Sequence, residues 1–295
     1  MQLITGAAGM NGRATVAEFV DAHSQVRALV RSISSAARSG LDQMQGVEVV
    51  EGDMTAPGGS EKALAGVERV LMISSAAPDM VETQCRFIDA CRASGVRHLI
   101  KFSGAESGIG FDPAKFRFTR MHEEIEGYLE ASGLAWTHIR PSQFMQVYLR
   151  EIPDIVKLGA IRLPLAGISL SPVHVRDIAK VAYRLLRFGG HEGEKLEMTG
   201  PEALTMAEIA ERISRAIGRK IVYQPIMASE RRSALLASGV PAGFADALDE
   251  QVAERLKRPN SKIDLSTHEA FGVRPTTFGE FATEHAAILS GKPAS

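Results

Sequence analysis

The chain has 295 residues, and its 34 Lys and Arg against 35 Asp and Glu leave a formal charge of −1. Hydrophobic residues make up 45 % and charged residues 23 %, a composition that excludes a disordered or collagen-like chain and buries a large core without staples. The near-neutral charge argues against a general nucleic-acid binder, and no apolar run reaches the roughly 18 residues that a membrane-spanning helix needs. Met1-Gln2-Leu3-Ile4-Thr5-Gly6 lacks the pattern of a signal peptide, and Cys85 and Cys91 lack metal-like spacing. The expected compartment is a reducing cytoplasm.

Gln2 to Thr5 reads as a short strand. Asn11 to Ala22 carries Val16, Phe19 and Val20, an i, i+3, i+4 stripe that predicts a helix. Val26 to Arg31, Val47 to Gly52 and Arg69 to Ser74 are strand-like. Met80 to Ala93 is helical, with Val81, Cys85 and Ile88 on one side. His98 to Ser103 is a fifth strand, Arg120 to Ala131 a helix, and Trp136 to Arg140 a sixth strand stopped by Pro141. Strands alternating with helices predict right-handed βαβ units. The fold class is therefore α/β, a doubly wound parallel (Rossmann) sheet covered on both faces.

The pattern loosens after Pro141, where Pro153 and Pro164 break the segments. Asp177 opens a helix with Ile178, Val181, Leu185 and Leu186, and Thr205-Met206-Ala207-Glu208 is a capping-box start. Residues 1–150 are read as the dinucleotide-binding domain, with 171–190 returning to it. Residues 151–295 are read as a smaller, mainly helical substrate lobe.

Gly6, Gly9 and Gly12 stand in Thr5-Gly6-Ala7-Ala8-Gly9-Met10-Asn11-Gly12, between the first strand and the first helix. Such glycines permit a tight turn, let a diphosphate approach the backbone, including that of Met10 and Asn11, and let helix and strand pack closely. The anion is then held by free N–H groups at the helix N-terminus. Arg31 ends the second strand where an Asp or Glu would bind both hydroxyls of an NAD ribose. An arginine pairs with a 2′-phosphate, so NADP is expected over NAD, with NAD as the alternative and a solvated arginine as the plain reading. Asp53 and Met54 follow the third strand near the expected adenine edge. Ser74 and Ser75 follow the fourth strand and Ser103 the fifth, at strand ends that face the ligand crevice. Turn chemistry alone also accounts for Ser and Asp at such places.

The Gly-x-x-Gly-x-x-Gly spacing resembles the short-chain dehydrogenase/reductase superfamily. Arg31, Gly52-Asp53, His122-Glu123-Glu124-Ile125-Glu126, the run Ser132 to Pro141 and Val173-His174-Val175-Arg176-Asp177 resemble its NmrA-like branch. That resemblance covers nearly the whole chain and implies NADP(H) binding. It implies either a reductase of quinone or triphenylmethane type, or a non-catalytic NADP sensor that regulates transcription. The superfamily's usual catalytic tyrosine has a lysine four residues on. Here Tyr128, Tyr148, Tyr183 and Tyr223 are followed at that spacing by Ser132, Ile152, Arg187 and Met227.

Without that proton donor, hydride transfer favours an acceptor whose developing charge delocalises, a quinone-like or conjugated aromatic compound, over a simple ketone. His122 is the preferred replacement donor, because its pKa can be tuned near neutrality; a structural histidine is the alternative. Ser103 lies in the region of the superfamily's serine. Lys115 lies on a loop that could close over substrate, and Phe144 and Tyr148 are candidates for an apolar wall beside cofactor and substrate. Glu123, Glu124 and Glu126 read as a solvated helix face. The eight histidines show no clustered ligand pattern, so no metal is expected. The leading function is an NADPH-dependent reductase, the runner-up an NADP(H) sensor, and the third a tailoring oxidoreductase for polyketide-like aromatics. Expected partners are the aromatic or quinone substrate and either a second copy or a regulatory protein, with neither nucleic acid nor membrane.

Overall fold

The computed structural model describes residues 1–105 and 109–293. Along the chain come β1 (Gln2–Ile4), α1 (Met10–Asp21), β2 (Val26–Val30), α2 (Ile33–Ser39) and β3 (Val47–Glu51). A single-turn α3 (Glu61–Leu64) leads to β4 (Arg69–Met72), α4 (Met80–Ala93), β5 (His98–Phe102), α5 (Arg117–Ala131) and β6 (Ala135–Pro141). Then follow α6 (Ile152–Leu158), β7 (Ala160–Ile161), β8 (Ser169–Leu170), α7 (Val175–Phe188), β9 (Glu194–Met198), β10 (Leu204–Thr205), α8 (Met206–Ile217) and β11 (Val222–Tyr223). The chain closes with α9 (Ala228–Ala237), α10 (Ala242–Lys257), α11 (Ser266–Ala270), α12 (Phe278–Glu284) and α13 (Ala286–Leu289).

The central sheet has 7 strands in the order β3-β2-β1-β4-β5-β6-β9, and every pairing in it is parallel. The chain runs outward from β1 through β2 to β3 and then returns to the other side of β1 as β4. That reversal opens a crevice at the carboxyl ends of β1 and β4, where ligands bind in sheets of this kind. Thr5 locks those ends together, because its hydroxyl donates to Ile73 O at 2.6 Å and accepts from Ile73 N at 2.8 Å. One face of the sheet buries Val16 and Phe19 of α1 with Ile178, Val181 and Leu185 of α7. The other face buries Phe87, Ile88 and Cys91 of α4 with Ile125 and Leu129 of α5. A third apolar cluster joins Met145, Tyr148, Ile209, Ile213, Phe278 and Phe281.

The doubly wound sheet expected from the sequence is present, and its first six strands fall where the apolar runs place them. The seventh does not follow from those runs. Glu194-Lys195-Leu196-Glu197-Met198 buries only Leu196 and Met198, because β9 pairs with β6 alone and stands at the sheet's edge. An edge strand with a polar face carries no continuous apolar run. Phe271 and Val273 also join the sheet's core, so segments beyond residue 190 contribute to it. The capping box at Thr205 and Glu208 forms as expected, and a second forms at Thr277 and Glu280.

Asp177 ties the last part of the chain to α7. It is 1 % exposed and accepts from Thr276 N at 2.7 Å and Thr276 Oγ1 at 2.9 Å. Burial opposes its ionisation, but the nearby His268 ring and the Thr276 bonds outweigh burial and hold the carboxyl below its usual range. Asp177→Ala is expected to cost about 2 kcal/mol of stability, read as a lower urea midpoint. A depressed folded pKa stabilises above the unfolded value, near pH 4, and that contribution disappears as pH falls through the folded pKa. The gap between wild type and variant is therefore expected to narrow in acid.

Candidate functional site

The glycine turn is built by close backbone approach. Gly6 sits at φ +57°, and a Cβ there would stand 2.9 Å from Ile73 O. A Cβ on Gly12 would stand 2.4 Å from Gly6 O and 2.7 Å from Ala7 Cα, so the helix touches the turn with no room for a side chain. Gly9 precedes α1 without a side-chain cap, and the first turn of α1 carries no acidic residue. The amides of Met10, Asn11 and Gly12 therefore begin a helix with no intrahelical acceptors. Asn11 Oδ1 is buried without a partner. Donors for an anion and one spare acceptor for a hydroxyl or amide fit the diphosphate and neighbouring groups of a dinucleotide.

The residues expected at the ribose and adenine follow the carboxyl ends of β2, β3 and β4. Arg31 directly follows β2 and is exposed. Asp53 spends its carboxylate on Thr55, accepting from its N–H at 2.9 Å and its hydroxyl at 2.8 Å. Those bonds, with a smaller pull from Arg31, hold its pKa down. Met54 packs against the core cluster under β3. Ser74 Oγ accepts from Gln84 Nε2 at 2.8 Å, which leaves Ser75 as the exposed hydroxyl at the end of β4.

Two adjoining cavities lie over the sheet edge, of about 1230 and 370 Å³. They share Phe118, Arg150, Glu151, Arg231, Leu235 and Phe244 as walls. The smaller runs from Met10 of the glycine turn to Ser103 and His122, with Phe144 and Tyr148 on its sides. Ion pairs tie together the segments that wall the two cavities. Arg231 Nη2 donates to Glu151 Oε1 at 2.5 Å, and the Arg117 guanidinium donates to the Glu250 carboxylate, with Nε to Oε1 at 2.9 Å.

Ser103 and His122 belong to a buried polar set that sequence reading did not assemble. Lys101, on β5, is fully buried. Its Nζ donates to His122 Nδ1 at 2.8 Å, Ser103 Oγ at 3.1 Å and Phe102 O at 3.4 Å. Ser103 Oγ donates to Glu126 Oε1 at 2.5 Å. Arg140 donates Nε to the same oxygen at 3.1 Å and Nη2 to Glu126 Oε2, and its Nη1 reaches Glu197 Oε1 at 3.1 Å. Burial pushes Lys101 down to about 7, against the opposing pull of Glu126. Burial and the Lys101 charge push His122 well below its usual value. Burial works against Glu126, but Arg140, His138 and Ser103 overcome it and bring its carboxyl to about 2.

The expected solvated face of α5 is correct for Glu123 and Glu124 and wrong for Glu126, which is 2 % exposed. Glu126 follows His122 by one helical turn and so shares its inward face. The helix starts at Arg117, which puts His122 in its second turn. Lys115 is exposed in the preceding turn and lines neither cavity. Tyr148 is buried with its hydroxyl 3.9 Å from Met206 Sδ, and burial raises its pKa, the wrong direction for a proton donor. Phe144 is half-buried and meets Phe102 edge-on. Among the described residues, Glu126, Glu130 and His138 bring three ligand-type atoms together. They are engaged by Arg140, by Lys195 at 2.9 Å and by each other. Among those residues no helix is long and apolar enough to cross a membrane.

A doubly wound sheet with an anion-binding glycine turn at its switch point defines a dinucleotide-binding protein. The chain belongs to the NmrA-like family, whose profile matches residues 2–282. It is 34 % identical over 292 residues to the NAD(P)H azoreductase of Xenophilus azovorans, covering 98 % of this chain and 99 % of that protein. It is also similar to the NADPH-dependent quinone oxidoreductase of Escherichia coli solved with NADPH, at TM-score 0.83 and 26 % identity, covering 96 % and 99 % of the two chains. The triphenylmethane reductase of Citrobacter sp. solved with NADP(H) shares the fold at TM-score 0.83 and 24 % identity, covering 97 % and 100 %.

Arg31→Ala is expected to weaken NADPH binding by about tenfold or more, the worth of a charge-assisted phosphate contact. NADH binding, measured by the same calorimetric titration, is expected to stay unchanged. Equal losses for both would place Arg31 outside the 2′-phosphate site.

Proposed function

We propose that the protein is an NADPH-dependent reductase that delivers hydride to a quinone-like or conjugated aromatic acceptor. The broader class, an NAD(P)H-dependent oxidoreductase, rests on the relatives named above. The finer reading is carried by one observation: the cavity that begins at Met10 of the glycine turn ends at Ser103 and His122 and is walled by Phe116, Phe118 and Phe144.

The dinucleotide, when bound, supplies the hydride. The chain's own residues hold it, shape the space for the acceptor and provide the proton. The glycine turn takes the diphosphate and Arg31 takes the 2′-phosphate. The aromatic walls exclude water and offer flat rings surfaces to pack against. His122 Nδ1 is occupied by Lys101, which leaves Nε2 as the ring nitrogen available to the cavity. A neutral imidazole N–H is a weaker acid than a protonated one. It suffices for an acceptor that spreads its developing charge over a conjugated system, and it is a poor match for a simple ketone.

The direct assay mixes the protein with NADPH and a panel of quinones, azo dyes and triarylmethane dyes and follows the nicotinamide absorbance. Acceptor-dependent loss of NADPH is expected. His122→Ala is expected to lower kcat by about 10²-fold, the usual worth of a positioned acid, while the NADPH dissociation constant stays the same. Tight NADPH binding with no turnover across the panel would overturn the reading in favour of a cofactor sensor.

A further inference from the structure

A lysine inside a strand covered on both faces is costly, and it persists only where its partners hold it. Lys101 has three donors when protonated, and it faces three acceptors: Phe102 O, Ser103 Oγ and His122 Nδ1. The direction of each bond follows from its neighbours. Glu126 is an acceptor toward Arg140, so the Ser103 hydroxyl donates to Glu126 and its oxygen accepts from Lys101. Lys101 then donates to Nδ1, and a neutral His122 carries its proton on Nε2.

We infer that Lys101 is a positioning residue for His122: it fixes the Nε2–H tautomer and replaces, through Nδ1, the proton that Nε2 gives to the acceptor. This rests on the reductase reading above. The step balances. The reduced acceptor gains two electrons with the hydride and one proton from Nε2. The N–H bond at Nε2 breaks as the acceptor's O–H or N–H bond forms, and an N–H bond at Lys101 breaks as one forms at Nδ1. Lys101 ends neutral and the ring ends as the other tautomer. After product leaves, cavity water protonates Nε2 and the Nδ1 proton returns to Lys101.

The charged and titratable groups around Lys101 separate its titration from theirs. Glu126 and His122 face it from α5, Arg140 and His138 (the register partner of Lys101) from β6, and Cys85 from α4. Burial brings His138 down to about 4 and, with nearby carboxylates, takes the Cys85 thiol up to about 11. Neither changes charge between pH 6 and 9, roughly the working range of such assays, and neither do Glu126 or Arg140. Glu197, behind Arg140, is raised by burial to about 7 and is the one neighbour that needs a control. Lys101 is protonated at low pH, so proton delivery is expected to fall as pH rises through about 7.

Two readouts test this. In the first, ¹⁵N-histidine NMR of the full chain follows the His122 ring without any acceptor. Wild type is expected to show the Nε2–H tautomer, with a shift in Nδ1 as Lys101 titrates. Lys101→Met is expected to show mixed tautomers and no such titration. The same tautomer and pH response in both proteins would overturn the inference. In the second, the pH profile of kcat is measured with whichever acceptor the panel identifies. The alkaline decline is expected in wild type and in Glu197→Gln. It is expected to vanish in Lys101→Met, with kcat about tenfold or more lower at the acid end.

Glu126→Gln provides a variant with nearly the same shape should Lys101→Met not fold. Glu126 raises the Lys101 pKa, so its neutralisation is expected to move the decline to lower pH. A decline that stays in place in Lys101→Met or in Glu126→Gln would show that Lys101 is only structural. A panel with no reduced acceptor sinks the reductase reading, and the tautomer measurement then decides the role of Lys101 by itself.

Discussion

The constraint on which the rest depends is the missing side chain at Gly12. The helix can start against the end of β1 only if nothing projects from that position, since a Cβ would meet the Gly6 carbonyl at 2.4 Å. That contact aims the free amides of α1 across the crevice between β1 and β4. The Thr5 clasp on Ile73 holds the two strand ends in register. Were the helix pushed outward, the amides would lose their common focus, and the cavity that starts at Met10 would lose its floor.

The second half of the site solves a different problem. Lys101, Glu126 and Arg140 are all buried, and isolated charges there would be prohibitively costly. They are tolerated as a set because each donor meets an acceptor: Arg140 and Ser103 on Glu126, Lys101 on Ser103 and His122. Such networks are rarely the most stabilising solution for a core. Retaining one at the end of β5, against the cavity wall, fits a requirement of the chemistry. A tyrosine with a lysine one helical turn on would place its acid and its tuning charge on the same helix. In the site proposed here the acid, His122, is on α5 and the tuning charge, Lys101, is on the neighbouring strand.

How far the sequence could be read follows from the range of the interactions involved. The strands β1 to β6, the helices α1, α4 and α5 and the glycine turn are encoded by local spacing and are legible, whereas α2 and α3, of 7 and 4 residues, are too short to carry a periodic apolar stripe. β9 is not legible either, because an edge strand that buries only Leu196 and Met198 has no continuous apolar run. By charge alone Glu126 reads with Glu123 and Glu124 as solvated, although its one-turn spacing from His122 marks a shared face. Lys101 carries a signal of its own: a charged residue in the middle of a strand expected to be covered on both sides. The segments that wall the cavities are held by contacts far apart in sequence, such as Arg231 with Glu151 and Arg117 with Glu250, and no window of sequence contains both partners.

The most direct measurement is a calorimetric titration of NADPH into the wild-type chain and into Gly12→Ala, with thermal melts of both to follow folding. One equivalent is expected to bind wild type with measurable heat, and the variant is expected to lose most of that affinity while still melting cooperatively. Equal affinity in the two proteins, or no heat from the wild type, would contradict the assignment of the glycine turn as the cofactor's anchor.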